Sequence, residues 1–372
     1  MTRTQTLTLL VPTLASGLGL VTLPAVSMAA PSEVTVQRIF GADRYETSAA
    51  IARATFGTSE TVVHKAVIAA GNDFPDAANG ANMLGGYFGP GPVLLTRSHD
   101  LPQPIADVIA QLGVSQPQIF GGTAAVDLSV ERRLDTLVAR YGTLGEVGRY
   151  SGSDRYATGA AVVRSAFDGE ANWPGVVGGL RTAFLVSGVA ATDALAVAPL
   201  TYALHGSPQV TKFPLLLTRP DVLSLATRDA LLLTSGGNRP IQQVIVIGGP
   251  GAVSPTVLTQ INALGIRTRR IEGVDRQATA VAVANFAIQT LGWNPVHVNL
   301  ARGDEFADAA SAPHAGEERG PLLFTESPDQ FGSATADFLR AHAGTIPSID
   351  VLGGPGAVSD AVVAQARAAA GG

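Results

Sequence analysis

Short apolar runs recur along the chain at wide and nearly equal spacing. One set consists of buried-type strands that begin with proline and end with threonine, at residues 92–96, 214–218 and 321–325. Their continuous apolar character is typical of central strands covered on both faces. A second set ends at a glycine and is followed by a helix rich in small residues; the glycines are Gly71, Gly188 and Gly303.

A third set of apolar strands continues into a glycine-rich turn and then into a helix. The copies lie at residues 118–127, 244–254 and 350–359, and the last two share the turn Gly-Gly-Pro-Gly-Ala-Val-Ser. A residue with a side-chain oxygen ends each turn, and it is predicted to cap the helix that follows. These capping residues are Asp127, Ser254 and Ser359. Three copies of one strand–turn–helix indicate three copies of one unit.

Each unit opens with the frame Arg-x-x-Gly-x-Asp-Arg-x-x-Thr. The frame begins at Arg38, Arg149 and Arg270, at intervals of 111 and 121 residues. Strand and helix patterns then alternate about four times before the next frame. This alternation predicts an α/β fold in which each unit has a parallel sheet with helices on both sides.

Two sets of aspartates fall where helices are predicted to begin. The frame supplies Asp43, Asp154 and Asp275, and Glu46 is predicted to complete a capping box with Asp43. The segment after the second strand supplies Asp76, Asp193 and Asp308, which are also predicted to cap helices.

Composition narrows the class of protein. Apolar residues make up 46% of the chain and charged residues 15%, so there is ample material for buried cores. The formal charge of -5 argues against a nucleic-acid partner, which would favour a basic excess. Cysteine is absent, so no disulfide or thiolate metal site is available.

The first 29 residues have the pattern of an export signal. Arg3 precedes an apolar stretch at residues 7–23, and Ser27 and Ala29 offer a cleavage site before Ala30. The interruption of this stretch by proline and glycine disfavours a stable membrane span, so we expect a secreted protein without a span after signal cleavage.

Taken together, the opening frame, the Pro-x-Leu-Leu-Thr strand and the glycine turn resemble the cell wall-binding repeat of type 2. That family occurs in exported proteins of Gram-positive envelopes, and the resemblance covers residues 35–372. It implies three similar Rossmann-like or Toprim-like domains, at residues 35–146, 147–267 and 268–372, in a pseudo-threefold ring. It also implies non-covalent binding at the cell surface to an anionic, teichoic-acid-like wall polymer.

The repeated arginines are the predicted polymer ligands, because a guanidinium group binds phosphate or carboxylate through two hydrogen bonds. They are Arg44, Arg155 and Arg276, together with Arg38, Arg149 and Arg270. The alternative is that they pair with carboxylates or pack between domains. The turn glycines can also bind an anion through backbone N–H groups, and the predicted residues are Gly248, Gly249, Gly353 and Gly354.

No motif of a known enzyme class is found, and we expect neither a metal nor a cofactor. The turn at Gly249 nearly matches a dinucleotide fingerprint, but Ser254 replaces the last glycine and the turn follows the wrong strand. The leading hypothesis is therefore a non-catalytic wall-binding protein. A wall-remodelling hydrolase of the amidase type and a structural surface-layer component are the alternatives, and the sequence leaves the oligomeric state open.

Overall fold

The computed structural model of the protein describes residues 33–57, 63–84, 89–167, 173–202, 211–232, 240–312 and 320–372. The predicted export signal at residues 1–29 lies outside these ranges. Within them, no helix has the length and apolar character needed to cross a membrane.

The elements follow the predicted alternation of strand and helix, except that the described residues between the second and third strands of the third unit form a 3₁₀ turn, Ala309–Ser311, in place of the predicted α-helix. The first unit contains β1 (Thr35–Ile39), α1 (Arg44–Phe56), β2 (Lys65–Ala70), α2 (Pro75–Gly80), β3 (Val93–Thr96), α3 (Gln103–Leu112), β4 (Gln116–Phe120) and α4 (Leu128–Val138). The second contains β5 (Gly148–Tyr150), α5 (Arg155–Phe167), β6 (Trp173–Pro174), β7 (Val176–Val177), β8 (Leu180–Ser187), α6 (Ala191–Thr201), β9 (Thr211–Lys212), β10 (Leu215–Thr218), α7 (Leu225–Leu232), β11 (Gln243–Ile247) and α8 (Pro255–Asn262). The third contains β12 (Arg267–Ile271), α9 (Arg276–Leu291), β13 (His297–Arg302), β14 (Leu322–Thr325), α10 (Ser333–Ala341), β15 (Ser348–Leu352) and α11 (Asp360–Ala369).

Three parallel sheets form the framework, which confirms the predicted α/β class. Their strand orders are β3-β2-β4-β5, β10-β8-β11-β12 and β14-β13-β15-β1. The short β7 pairs with β8 in the antiparallel sense, and β6 pairs with β9 in a small separate sheet. Parallel neighbours need long crossover connections, and the intervening helices provide them.

The opening strand of each unit joins the sheet of the preceding unit, which the sequence pattern did not predict. β5 pairs with β4, β12 pairs with β11, and β1 pairs with β15 of the third unit. The same backbone hydrogen bond ends all three pairings: Gly121, Gly248 and Gly353 donate to Tyr150, Ile271 and Ile39 at 2.9 Å. The strand exchange is therefore cyclic, while the pseudo-threefold ring itself stays a prediction.

Both faces of each sheet are buried, but against different cores. In β2, Val67 and Ala69 belong to a core shared by all three units, whereas Ala66 and Ile68 belong to a core of the first unit alone. The other sheets divide their side chains in the same way between the shared core and a core of their own. The alternation follows from the two-residue period of a strand. Residues 33–372 consequently form one compact unit.

Polar side chains tie the units together inside the shared core. Asn82 of the first unit donates to the Leu215 carbonyl at 3.0 Å and accepts from the Leu215 N–H at 2.8 Å. Ser311 of the third unit contacts Ser48 of the first, with 2.9 Å between their hydroxyl oxygens. Buried polar groups must find partners, so these contacts fix how the units face one another.

The helix caps predicted for the opening frames and the glycine turns are present with two corrections. Asp43, Asp154 and Asp275 each accept backbone N–H groups of the following helix, as do Asp127 and Ser359. Ser254 does not cap, because the Val257 N–H bonds to the backbone carbonyl of Ser254 instead, at 3.1 Å. Glu46 reaches back to the Ala42 N–H at 2.8 Å and not to that of Asp43, so the capping box is shifted by one residue.

The exchanged strand generates a prediction. Deleting residues 33–39 should destabilise the protein strongly, because the edge of β15 loses its partner and Ile39 leaves the shared core. Attaching the same residues after Gly372 through a short glycine–serine linker should restore the native melting temperature. Arg367 near the C-terminus lies 3.3 Å from Glu33, so the linker has little distance to span.

Melting temperature and elution volume of the two variants measure this outcome. A deletion variant as stable as the parent, or a permuted variant that stays unfolded, would contradict the assignment of β1 to the third sheet.

Candidate functional site

An aspartate lies at the carboxyl end of the sheet in each unit, which is where open parallel sheets bind their ligands. The three residues are Asp76, Asp193 and Asp308; Asp193 is buried and the other two are partly buried. Each faces the first glycine of the turn in its own unit, and these glycines have φ values of 108°, 98° and 109° at Gly121, Gly248 and Gly353. A β-carbon at any of them would overlap the aspartate carboxylate, so glycine is required both for the backbone angle and for the close approach.

The predicted capping role of these three aspartates is wrong. Asp76 and Asp193 lie inside the first turns of α2 and α6, whose N-cap residues are Phe74 and Ala190, and neither helix has a side-chain cap. Asp308 precedes a short 3₁₀ turn at Ala309–Ser311 that also lacks a side-chain cap. The carboxyl groups are turned toward the glycine turns and away from the helix N–H groups.

Burial raises the pKa of Asp76, Asp193 and Asp308 to about 6 in each case. Desolvation is the main cause, because a buried carboxyl group holds its proton more tightly. An arginine of the next unit opposes the rise, and the pairs are Asp76 with Arg155, Asp193 with Arg276 and Asp308 with Arg44. Asp308 also faces Arg302 of its own unit, which opposes the rise more than Arg44 does.

The three arginines of these pairs are held in one geometry. One guanidinium nitrogen donates to the carbonyl of the glycine that directly follows β2, β8 or β13. The bonds are Arg44 to Gly71 at 2.6 Å, Arg155 to Gly188 at 2.7 Å and Arg276 to Gly303 at 2.7 Å. In three places, such an arginine faces the aspartate and the glycine turn of the preceding unit. We call these three places the junctions.

The other predicted arginines hold the glycine turns from the opening strands. Arg38, Arg149 and Arg270 donate to the carbonyls of Gly353, Gly121 and Gly248 in the preceding unit. Arg149 also bonds to Glu131 at 2.6 Å, and Arg38 bonds to Asp360 at 2.9 Å. Their side chains are only 14–17% exposed, so most of their donors serve the fold. Polymer contact by this set stays a prediction.

The predicted turn glycines belong to the glycine turns of two junctions. Gly248 and Gly353 are the glycines that face Asp193 and Asp308. Gly249 lies beside the Glu272 carboxylate, and Gly354 lies beside the Phe40 ring. Phe40 is 49% exposed, an apolar group at the surface of the third turn.

In the first two units, a tyrosine directly follows the second arginine of the opening frame. An arginine lies beside each of these tyrosines, and the sequence analysis missed both arginines. Arg97 lies 4.7 Å from the centre of the Tyr45 ring, and Arg219 lies 5.4 Å from that of Tyr156. Both follow the threonine of the buried strand, and that position is Glu326 in the third unit, where Gln277 replaces the tyrosine. The arginine and the tyrosine are thus both present in the first two units and both replaced in the third. This joint replacement is the sequence signal that could have revealed the arginine–tyrosine pairs. Across the described ranges, no three His, Asp or Glu side chains come together as a metal site.

Comparison with known proteins identifies the family of the chain. The family model of cell wall binding domain 2 (CWB2) matches residues 38–131, 149–258 and 270–363. The chain belongs to the CWB2 family. Three tandem copies match the resemblance seen in the sequence, and membership supports cell-wall binding as the role of this region.

The chain is also similar to parts of longer proteins. The chain is 33% identical over 217 residues to the N-acetylmuramoyl-L-alanine amidase LytC of Bacillus subtilis (strain 168), but spans only 38% of it. Cwp6 and Cwp8 of Clostridium difficile share the fold, with TM-scores of 0.69 and 0.71 at 20% and 18% identity. The matches cover 93% and 91% of this chain and about half of each Cwp chain.

The raised pKa values of the three junction aspartates of the CWB2 units predict a pH dependence of stability. Their pKa of about 6 in the folded state exceeds the ordinary value of 3.8, so the folded state binds protons more tightly than the unfolded chain. Their contribution to the free energy of unfolding therefore falls as pH rises from about 4 to about 6, and is level above that range. The change is on the order of 1–3 kcal/mol per group.

Urea titrations of the parent and of the triple variant Asp76→Asn, Asp193→Asn, Asp308→Asn measure this effect at several pH values. The stability of the variant relative to the parent should increase across that window. The exposed Asp337→Asn is the control. A constant difference between parent and triple variant from pH 4 to pH 7 would show that burial does not perturb these carboxyl groups.

Proposed function

We propose that the chain is an exported, non-catalytic protein that binds the Gram-positive cell wall through an anionic secondary polymer. The predicted signal at residues 1–29 would be removed on export, leaving the three CWB2 units at the cell surface. The observation that carries this proposal is the threefold repetition of one junction: an arginine of one unit faces an aspartate and a glycine turn of another.

The junction suits a repeating anion for two reasons. One nitrogen of each arginine is held by a strand-end carbonyl, so the guanidinium group is fixed beside the junction, where it can meet an oxyanion. Three like sites on one compact unit also let a long polymer bind at several places, which multiplies weak contacts through effective concentration. The net charge of -5 supplies no general attraction, so a local cation is needed.

The repetition also favours binding over catalysis, because a hydrolase needs one specialised centre and the junctions are built from the same parts in all three units. The similarity to the amidase LytC covers a minor part of that enzyme, so the amidase activity of LytC is not an argument for catalysis by this chain. Incubating the protein with purified walls tests the alternative directly: a fall in turbidity with release of wall fragments would favour a hydrolase. Lateral assembly into sheets in the absence of walls would favour a surface-layer component.

The junction arginines generate the main prediction. Replacing Arg44, Arg155 and Arg276 together with lysine keeps the charge but removes the planar fork, so wall binding should weaken by about tenfold while the protein stays folded. The triple alanine variant should bind still less. Co-sedimentation with purified walls, before and after extraction of the secondary polymer, gives the affinities.

Melting temperatures separate ligand binding from packing between units. A lysine variant with a native melting temperature and weakened binding supports polymer contact. If wall binding is unchanged in a folded triple alanine variant, the arginines are not polymer ligands. If the parent binds extracted walls as well as intact walls, the anionic polymer is not the partner.

A further inference from the structure

At two of the positions between the strand-end glycine and the junction aspartate, the first and third units carry residues of the same kind and the second unit does not. The first unit has Asp73 and Phe74 there, and the third has Glu305 and Phe306. The second unit has alanine at both positions, Ala190 and Ala191. One acidic and one aromatic side chain are therefore missing from only one junction.

At the junction of the first and second units, the acidic residue occupies the arginine. Asp73 accepts a hydrogen bond from Arg155 at 2.9 Å, and both side chains are partly exposed. Because Arg155 also donates to Gly188, two of its nitrogens are already in use. An anion arriving at this junction has to displace Asp73 or bind beside it.

At the junction of the third and first units, the aromatic residue covers the arginine. The centre of the Phe306 ring lies 5.7 Å from the guanidinium carbon of Arg44, and Phe74 packs edge-on against Phe306. Arg44 is half-buried as a result. Glu305 adds negative charge, since it raises the pKa of the neighbouring Asp308.

At the junction of the second and third units, neither obstacle exists. Arg276 is exposed, and its one hydrogen bond within the described ranges is the bond to Gly303. The same carbonyl accepts from the Thr192 hydroxyl at 3.2 Å, which places the start of α6, and with it Ala190 and Ala191, next to Arg276.

The acidic groups near this junction have arginine partners of their own. Asp304 forms two hydrogen bonds to Arg302, both of 2.7 Å, and its attraction to Arg276 is weaker than its attraction to Arg302. Glu272 lies 4.0 Å from Arg270. Asp193 does face Arg276, but an aspartate at this position is common to all three junctions and does not distinguish them.

We infer that the junction of the second and third units is the principal anion-binding site of the chain, with Arg276 as the group that binds a phosphate or carboxylate. This inference rests on the proposed function and assigns unequal roles to three sites that the repeat makes look equal. The other two junctions contribute secondary contacts along the polymer.

Introducing an acidic side chain at position 190, where the second unit lacks one, tests the inference without removing any ligand. Ala190→Asp should pair with Arg276 as Asp73 pairs with Arg155, and should weaken binding to purified walls by about tenfold, as expected for one charge-assisted contact. Asp73→Ala frees Arg155 and should strengthen binding severalfold. Arg276→Ala should lose about as much affinity as Ala190→Asp, whereas Arg44→Ala and Arg155→Ala should each lose less than about threefold.

Arg340→Ala is the matched control, since that side chain is 62% exposed on α10 and pairs only with Asp337 among the described residues. Competition by soluble poly(glycerol phosphate) and by polygalacturonate tells phosphate from carboxylate. Equal losses for the three arginine variants, or an Ala190→Asp variant that is folded and binds normally, would overturn the inference while leaving wall binding intact. A parent protein that does not bind walls would overturn the proposed function itself.

Discussion

The pairing of each opening strand with the sheet of another unit is the interaction on which the rest of the structure depends. In each sheet, one edge strand comes from another unit: β5 completes the first sheet, β12 the second and β1 the third. The exchange is reinforced by a core shared by all three units and by polar contacts such as that of Asn82 with Leu215. Hydrophobic burial alone is non-directional, so the backbone pairing and the buried polar contacts are what fix the arrangement.

The site inherits its geometry from this exchange. The N–H of the first turn glycine bonds to the end of the incoming strand, and its carbonyl accepts from an arginine of that strand, so the turn is held on both sides by another unit. The fixed turn leaves room for a buried carboxyl group, and an arginine from the incoming unit offsets part of the cost of burying it. Single residues beside a junction can therefore differ between the units, as at Ala190 and Ala191, while the scaffold stays the same.

The periodic features of the fold could be predicted from the sequence, and the pairings could not. Apolar runs and helix caps are local signals, so the α/β class, the three copies and the caps at Asp43 and Asp127 could be inferred. The residues of β1 have the same pattern whether they pair with the first sheet or the third, because parallel pairing is long-range. Asp76 was misjudged for a related reason: an aspartate in a first helical turn can cap the helix or face inward, and only the position of Gly121 decides.

Hydrogen–deuterium exchange of the full protein, with and without saturating extracted wall polymer, tests the central claim that the polymer binds at the junctions. Binding should slow exchange in the glycine turns and the opening frames, most of all in residues 248–254 and 273–277. Protection confined to the outer helices α3, α4, α7 and α8, with the turns unchanged, would contradict the claim.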